Sequence, residues 1–212
     1  DSDDPGATKA AMTVISRLRS LLSRPGPDPA LEIDIDLRPE GKGGALVRSL
    51  SSYRAYYARW SSTWEAQALL RAGHGAGDPA LVGPFLEAIA SRRWPPMGIT
   101  EQQVAQIRRL KLRMGQERAR GSGINLKLGP GGLSDVEWSV QLLQLKHAGR
   151  VPGLRTTRTL AALDAALEAV LESRIHNPHT VIGILAAHAA RARNWADLRP
   201  APAPWPQHRD HR

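Results

Sequence analysis

Cysteine is absent from this sequence, which excludes disulfides and thiolate metal sites. Histidine occurs seven times but is scattered, and no HxxxH pair stands beside a carboxylate on a helix, so zinc chemistry is not expected. No apolar run reaches the roughly 20 residues that a membrane span needs. The opening Asp1-Ser-Asp3-Asp4-Pro5 has neither the basic nor the apolar character of a secretory leader. It also lacks an initiator Met, which suggests a fragment or an internal boundary. The reading is a soluble, cytoplasmic protein. The chain is poor in aromatics other than tryptophan, with one Phe and three Tyr against six Trp. The Gly-rich run from Lys127 to Gly132 is not followed by GKS or GKT, so it is not a P-loop.

What is present points to a globular protein. Hydrophobic residues make up 42% of 212 residues, enough to bury the core of one good-sized domain or two small ones. The formal charge of +9 suits an anionic partner such as a nucleotide, a nucleic acid or an acidic protein surface, without choosing among them. A GC-rich coding sequence accounts for the arginine excess equally well.

Strands are expected only in the first 50 residues. Leu31, Ile33, Ile35 and Leu37 alternate with Glu32, Asp34 and Asp36, the period of a strand with one buried and one acidic face. A shorter strand is expected over 45–50. The rest reads as helical: 7–23, a long helix from Ser51 or Ser52 to about Ala72, 78–92, a helix from Thr100, 133–148, one opened by Thr156 or Thr157, and 180–194. Tyr53, Tyr56, Trp60 and Trp64 follow helical spacing and read as core. The run after Asp197 has no core-forming pattern. The fold class is therefore α+β, mostly helical, with a small α/β piece ahead of a helical bundle.

Three features could carry chemistry. Glu32, Asp34 and Asp36 would share one strand face, where a divalent cation would relieve their repulsion; an acidic solvent-facing edge explains the same pattern. The loop Lys127 to Gly132 runs into a helix, whose free N–H groups and dipole can hold phosphate. Beyond it, Asp135 lies near the helix start, and Glu137, Gln141 and Gln144 fall on one polar face. A solvated face explains that spacing as well. The basic residues Arg108, Arg109, Lys111 and Arg113 also read as a solvated face.

Taken in order, these segments resemble one family. ALEIDIDLRPEGKGGALVRSLSSYRAYYARWSSTWEAQALLRA (30–72) resembles the latter part of the nucleotidyltransferase domain of glutamine synthetase adenylyltransferases. QIRRLKLRM (106–114), NLKLGPGGLSDVEWSVQLLQLKHAG (125–149) and VPGLRTTRTLAAL (151–163) are similar to the helical domain that follows it in that family. LSDVEW, LLQLKHAG and GLRTTRTL look more like the C-terminal, adenylyl-attaching half than the adenylyl-removing half. The resemblance implies a partial nucleotidyltransferase domain over 1–72, a helical domain over 73–196 and a tail over 197–212.

It also implies a reaction, the transfer of AMP from ATP to a tyrosine hydroxyl of glutamine synthetase with Mg²⁺. A PII-type regulatory protein is the implied second partner, while no membrane and no nucleic acid is expected. Of the three metal-holding carboxylates of the superfamily, the third matches Asp34, which becomes the catalytic and metal candidate. Asp36 falls on a variable position. Lys127, Gly129, Gly131, Gly132, Asp135 and Glu137 become nucleotide-binding candidates. Two departures stand out. The stretch contains no Gly-Ser turn followed by an Asp-x-Asp strand, and Pro130 stands where the family wording has Arg. The expectation is that this chain alone does not transfer AMP. A rival reading is a non-catalytic helical module that docks an acidic protein.

Overall fold

The computed structural model describes residues 4–27, 30, 31, 33–118, 127 and 132–194, with the side chains of 116–118 and 179 not described. The chain divides into two compact units, Asp1–Arg93 and Trp94–Arg212. The mostly helical expectation holds in both. Among the described residues there is no strand, so neither expected strand forms.

The first unit begins with α1 (Pro5–Leu22). Asp4 caps it by accepting the Ala7 N–H at 3.0 Å, and Pro5 supplies the preset φ of a first helical position. None of its residues is buried. Segment 30–37 is extended or turned but pairs with no described strand. Alternation shows which side chains could share a face, but a strand also needs a neighbour to take its N–H and C=O groups. Here side chains take two of them instead. Asp34 Oδ1 accepts the Asp36 N–H at 2.8 Å, and Arg38 donates to the Ile35 carbonyl at 2.5 Å. Residues 45–49 are likewise no strand, and Ser49 caps the next helix by accepting the Ser52 N–H.

The long helix expected up to Ala72 is two helices, α2 (Leu50–Arg59) and α3 (Thr63–Leu69). The break has a cause on each side. Ser62 and Glu65 form a reciprocal capping box that starts α3. The Arg92 guanidinium donates to the carbonyls of Tyr57 and Ala58 at 2.7 and 2.9 Å, satisfying the exposed end of α2 where a cation is favoured. Arg92 belongs to α5 (Ala90–Arg93), which follows α4 (Pro79–Ala88). The core here is Tyr57, Leu69 and Ile89, with Tyr53, Tyr56 and Phe85 against them. Tyr57 replaces Trp60 in the expected aromatic core: Trp60 is 66% exposed and lies under the Arg59 guanidinium at 4.8 Å.

The second unit holds α6 (Glu101–Arg118), α7 (Leu133–His147), α8 (Thr159–Leu171) and α9 (Pro178–Ala192). On α6 the expected stripe faces inward, with Val104 and Ile107 buried and Arg108, Arg109 and Arg113 exposed. Helix α8 packs on both α7 and α9 through Ala162, Ala166 and Ala169, all without exposed surface. Small residues there let the helix axes approach. The Pro95-Pro96 turn closes on Gly149, where an added Cβ would stand 2.3 Å from the Pro95 carbonyl oxygen.

Candidate functional site

The candidate residues fall in two neighbourhoods, one in each unit. The first is the loop from Asp34 to Gly44. Asp34 is exposed and borders a cavity of about 700 Å³ that is also lined by Arg19, Ser20 and Ile33. Asp34 and Asp36 are not paired on a strand face as expected. They form a turn in which one accepts the other's N–H, while Lys42 sits 3.3 Å from the Asp36 carboxylate. Glu32 lies outside the described residues.

The loop is held from inside by Arg38. Its guanidinium donates to the carbonyls of Ile35, Lys42 and Gly44, at 2.5, 2.8 and 2.8 Å. A planar fork of fixed donors is the right shape to tie three carbonyls at once. Glu40 and Gly41 turn the chain through left-handed conformations, at φ 65° and 60°. Gly44 is required because an added Cβ would overlap the Pro39 carbonyl oxygen at 1.8 Å.

From outside, the loop is tied to the α2–α3 corner. The Tyr56 hydroxyl accepts the Glu40 N–H at 3.2 Å and donates to Glu65 Oε1 at 2.6 Å. Arg48 pairs with the Glu40 carboxylate and stands 5.4 Å from the Tyr56 ring centroid. Burial, and after it the hydrogen bond to Glu65, raise the Tyr56 pKa above the usual phenol value, so the phenol stays a donor. Burial likewise raises Tyr53 and Tyr57. Sequence reasoning missed this network, although Ser62-x-x-Glu65 is a legible capping-box signature.

The second neighbourhood is the start of α7. Lys127 is exposed, and its carbonyl accepts the Ser134 N–H at 2.9 Å. Gly132 is the N-cap of α7 and gives the helix no side-chain cap. Gly129 and Gly131 lie outside the described residues. Asp135 forms a 2.6 Å ion pair with Lys111 of α6, and Lys111 also lies 5.4 Å from the Trp138 ring centroid. Lys111 is therefore part of this site rather than of a solvated basic face.

Glu137 accepts from Gln141 Nε2 at 3.3 Å. Of this polar face Gln141 and Gln144 are buried, at 8% and 4% exposure, which rules out the solvated-face alternative. Gln144 is spent on structure: its amide donates to the carbonyls of Leu154 and Thr156 at 2.9 and 2.7 Å, fixing the turn ahead of α8.

Among the described residues no three His, Asp or Glu side chains come together as a metal site. Asp34 offers a hard oxygen donor of the kind Mg²⁺ takes, but as a single ligand with one oxygen already accepting an N–H.

The family model for glutamate-ammonia ligase adenylyltransferase matches residues 3–88, the stretch that carries the Asp34 loop and its ties. The model for GlnD PII-uridylyltransferase matches residues 100–176, the stretch that carries α6 to α8. The chain is thus nucleotidyltransferase-related by class.

Its curated relatives are bifunctional glutamine synthetase adenylyltransferase/adenylyl-removing enzymes. It is 56% identical over 170 residues to that of Cutibacterium acnes, covering 79% of this chain. It is 56% identical over 173 residues to that of Streptomyces coelicolor, covering 80%. It is 51% identical over 165 residues to that of Mycobacterium tuberculosis, covering 76%. Over that stretch the chain belongs to the glutamine synthetase adenylyltransferase family, and the match spans 17% of the length of these relatives. No described helix is long and apolar enough to cross a membrane.

Proposed function

We propose that this chain is part of an enzyme that transfers AMP from ATP to a tyrosine hydroxyl of glutamine synthetase, with Asp34 as one of the carboxylates that hold Mg²⁺. The observation that carries the reading is the 56% identity over most of the chain to an enzyme of that name. The place of Asp34 supports its role. It stands at a cavity edge, on a loop whose carbonyls are gathered by one arginine.

When bound, Mg²⁺ stabilises charge on the attacking and leaving oxygens. The chain's own contribution is to hold the Asp34 carboxylate in place. The phenol to be modified has an ordinary pKa near ~10, so its proton must be drawn off as it attacks. Lys127, Gly129, Gly131, Gly132, Asp135 and Glu137 are proposed to meet the nucleotide. The support is a helix start whose cap residue has no side chain of its own, an arrangement suited to phosphate.

Segment 30–37 is proposed to join a sheet whose other strands lie outside this stretch. That would make 1–72 part of an α/β nucleotidyltransferase domain, with a helical domain over 73–196. Leu31 and Leu37 at 64% and 61% exposure, beside a helix α1 with no buried residue, support it. ATP, Mg²⁺, glutamine synthetase and a PII-type regulatory protein are the proposed ligands and partners, in the cytoplasm.

A second reading is favoured by the relatives' own bifunctional names: the chain belongs to the adenylyl-removing half. Asp34→Ala in the full-length protein separates the two. Loss of AMP attachment with removal intact supports the attaching half, and the reverse supports the removing half. Retention of both activities refutes the role of Asp34. The stretch lacks the Gly-Ser turn and Asp-x-Asp strand, so the 212-residue polypeptide alone should incorporate no labelled AMP into glutamine synthetase. Measurable incorporation would refute that.

A further inference from the structure

Glu65 is the one buried carboxylate among the described residues, at 2% exposure. A carboxylate taken out of water is costly unless donors surround it. One of its oxygens meets the Ser62 N–H and hydroxyl at 2.7 and 3.0 Å. That is an ordinary helix cap, and a cap works at the surface. The other oxygen does something a cap does not require. It accepts the Tyr56 hydroxyl at 2.6 Å and approaches the Glu40 N–H at 3.4 Å, 25 residues away in sequence. Tyr56 itself accepts the same Glu40 N–H. The second oxygen is therefore spent on the loop at Glu40, the residue that turns the chain through a left-handed conformation.

From Glu40 the connection runs on without a gap. Glu40 and Gly41 lie between Arg38 and the Lys42 carbonyl that Arg38 holds. The same guanidinium holds the carbonyl of Ile35, which follows Asp34 directly. Asp34 in turn accepts the N–H of Asp36. Apart from the Tyr56–Glu65 bond and the covalent chain from Glu40 to Arg38, the links end on backbone groups, and the last one holds the Asp34 carboxylate itself against the Asp36 N–H.

We infer that Glu65, acting through Tyr56 and the Glu40 N–H, is a positioning residue that sets where the Asp34 carboxylate stands. The inference rests on the proposed role of Asp34. Groups that orient a metal ligand change metal affinity about 10- to 100-fold when removed. A residue that only caps α3 would change stability and leave metal dependence alone.

The test uses the full-length enzyme with Glu65→Gln, Tyr56→Phe and Asp34→Ala, each made singly. Three quantities are read: Mn²⁺ bound in the presence of ATP by paramagnetic resonance, the Mg²⁺ concentration for half-maximal AMP transfer, and KM for glutamine synthetase. Glu65→Gln and Tyr56→Phe are both expected to weaken Mn²⁺ binding and raise the Mg²⁺ requirement about tenfold. KM for glutamine synthetase should stay within about twofold, because a displaced metal ligand leaves protein docking intact.

Tyr56→Phe removes one hydroxyl and leaves the capping box whole, so it decides the matter even where Glu65→Gln does not fold. If Asp34→Ala loses Mn²⁺ binding while Tyr56→Phe keeps wild-type metal dependence, the inference is overturned and the role of Asp34 stands. If Asp34→Ala keeps both metal binding and transfer, the role of Asp34 falls and the inference with it.

Discussion

Gln144 offers the sharpest test of the packing. It lies on the polar face of α7, yet it is 4% exposed and both its donor bonds go to backbone. The informative perturbation is Gln144→Leu, which keeps the volume and deletes the donors. The two carbonyls it serves would not suffer equally. Leu154 keeps the Thr156 N–H at 2.9 Å, so it loses only one of two bonds, a cost of about 1 kcal/mol. The Thr156 carbonyl loses a donor at 2.7 Å at a half-buried residue, a cost of about 2 kcal/mol. Leucine returns about 1 kcal/mol of apolar burial. The net expectation is about 2 kcal/mol, and for a unit of this size that lowers Tm by about 8 °C. Gln144→Glu should do worse at neutral pH, since it aims a buried carboxylate at two carbonyl oxygens. Thermal melts of the chain followed by circular dichroism measure both. A Gln144→Leu Tm within about 2 °C of wild type would refute the claim that this side chain holds the turn.

Two further predictions concern the same unit. Burial, and then the nearby Lys146 and Arg150, hold His147 below the usual histidine range, and its Nε2 has no hydrogen-bond partner among the described residues. The unfolded chain takes up a proton at about pH 6.5 and the folded one only lower, so stability falls as pH drops below that value. His147→Met should flatten this slope, read as the Tm difference between pH 7.5 and 5.5; an unchanged slope would count against burial as its cause. Gly149→Ala would set a Cβ 2.3 Å from the Pro95 carbonyl oxygen and should cost about 1–3 kcal/mol by denaturant titration. Gly73→Ala, with nothing within 4 Å, is the matched control and should cost little.

What could be read from the sequence follows from the range of each force. Helix α6 was legible because Val104, Ile107 and Leu110 repeat at helical spacing and nothing interrupts them. Caps were partly legible: Asp78 accepts the Ala80 N–H at the start of α4, as a polar residue ahead of an apolar run suggests. The period-two run over 31–37 misled, because a strand is a relation between two segments. Period-two patterning describes only one of them. The α2–α3 break was legible in principle from Ser62-x-x-Glu65, but the tyrosine and tryptophan spacing runs through it and reads as one helix.

The candidate site divides the same way. Spacing grouped Asp34 with Glu32 and Asp36 as one acidic face, and the resemblance chose Asp34 among them; its turn with Asp36, where it accepts the N–H two residues on, was not legible. Asp135 was singled out without its partner. Lys111 stands 24 positions earlier, on another helix, and single-sequence patterning sees charges only along one helix face. Glu65 is the most instructive case. Its local half, the bond to Ser62, is a motif that four residues spell out. Its distant half, the bond toward Glu40, depends on how the loop folds back onto α2 and α3. A carboxylate that serves a motif and a long-range contact at once is buried for the second reason, and burial is what separates it from the other described carboxylates. Exposure at Asp34 and burial at Glu65 are therefore opposite ends of one arrangement, a carboxylate that faces the cavity and one spent on holding its loop.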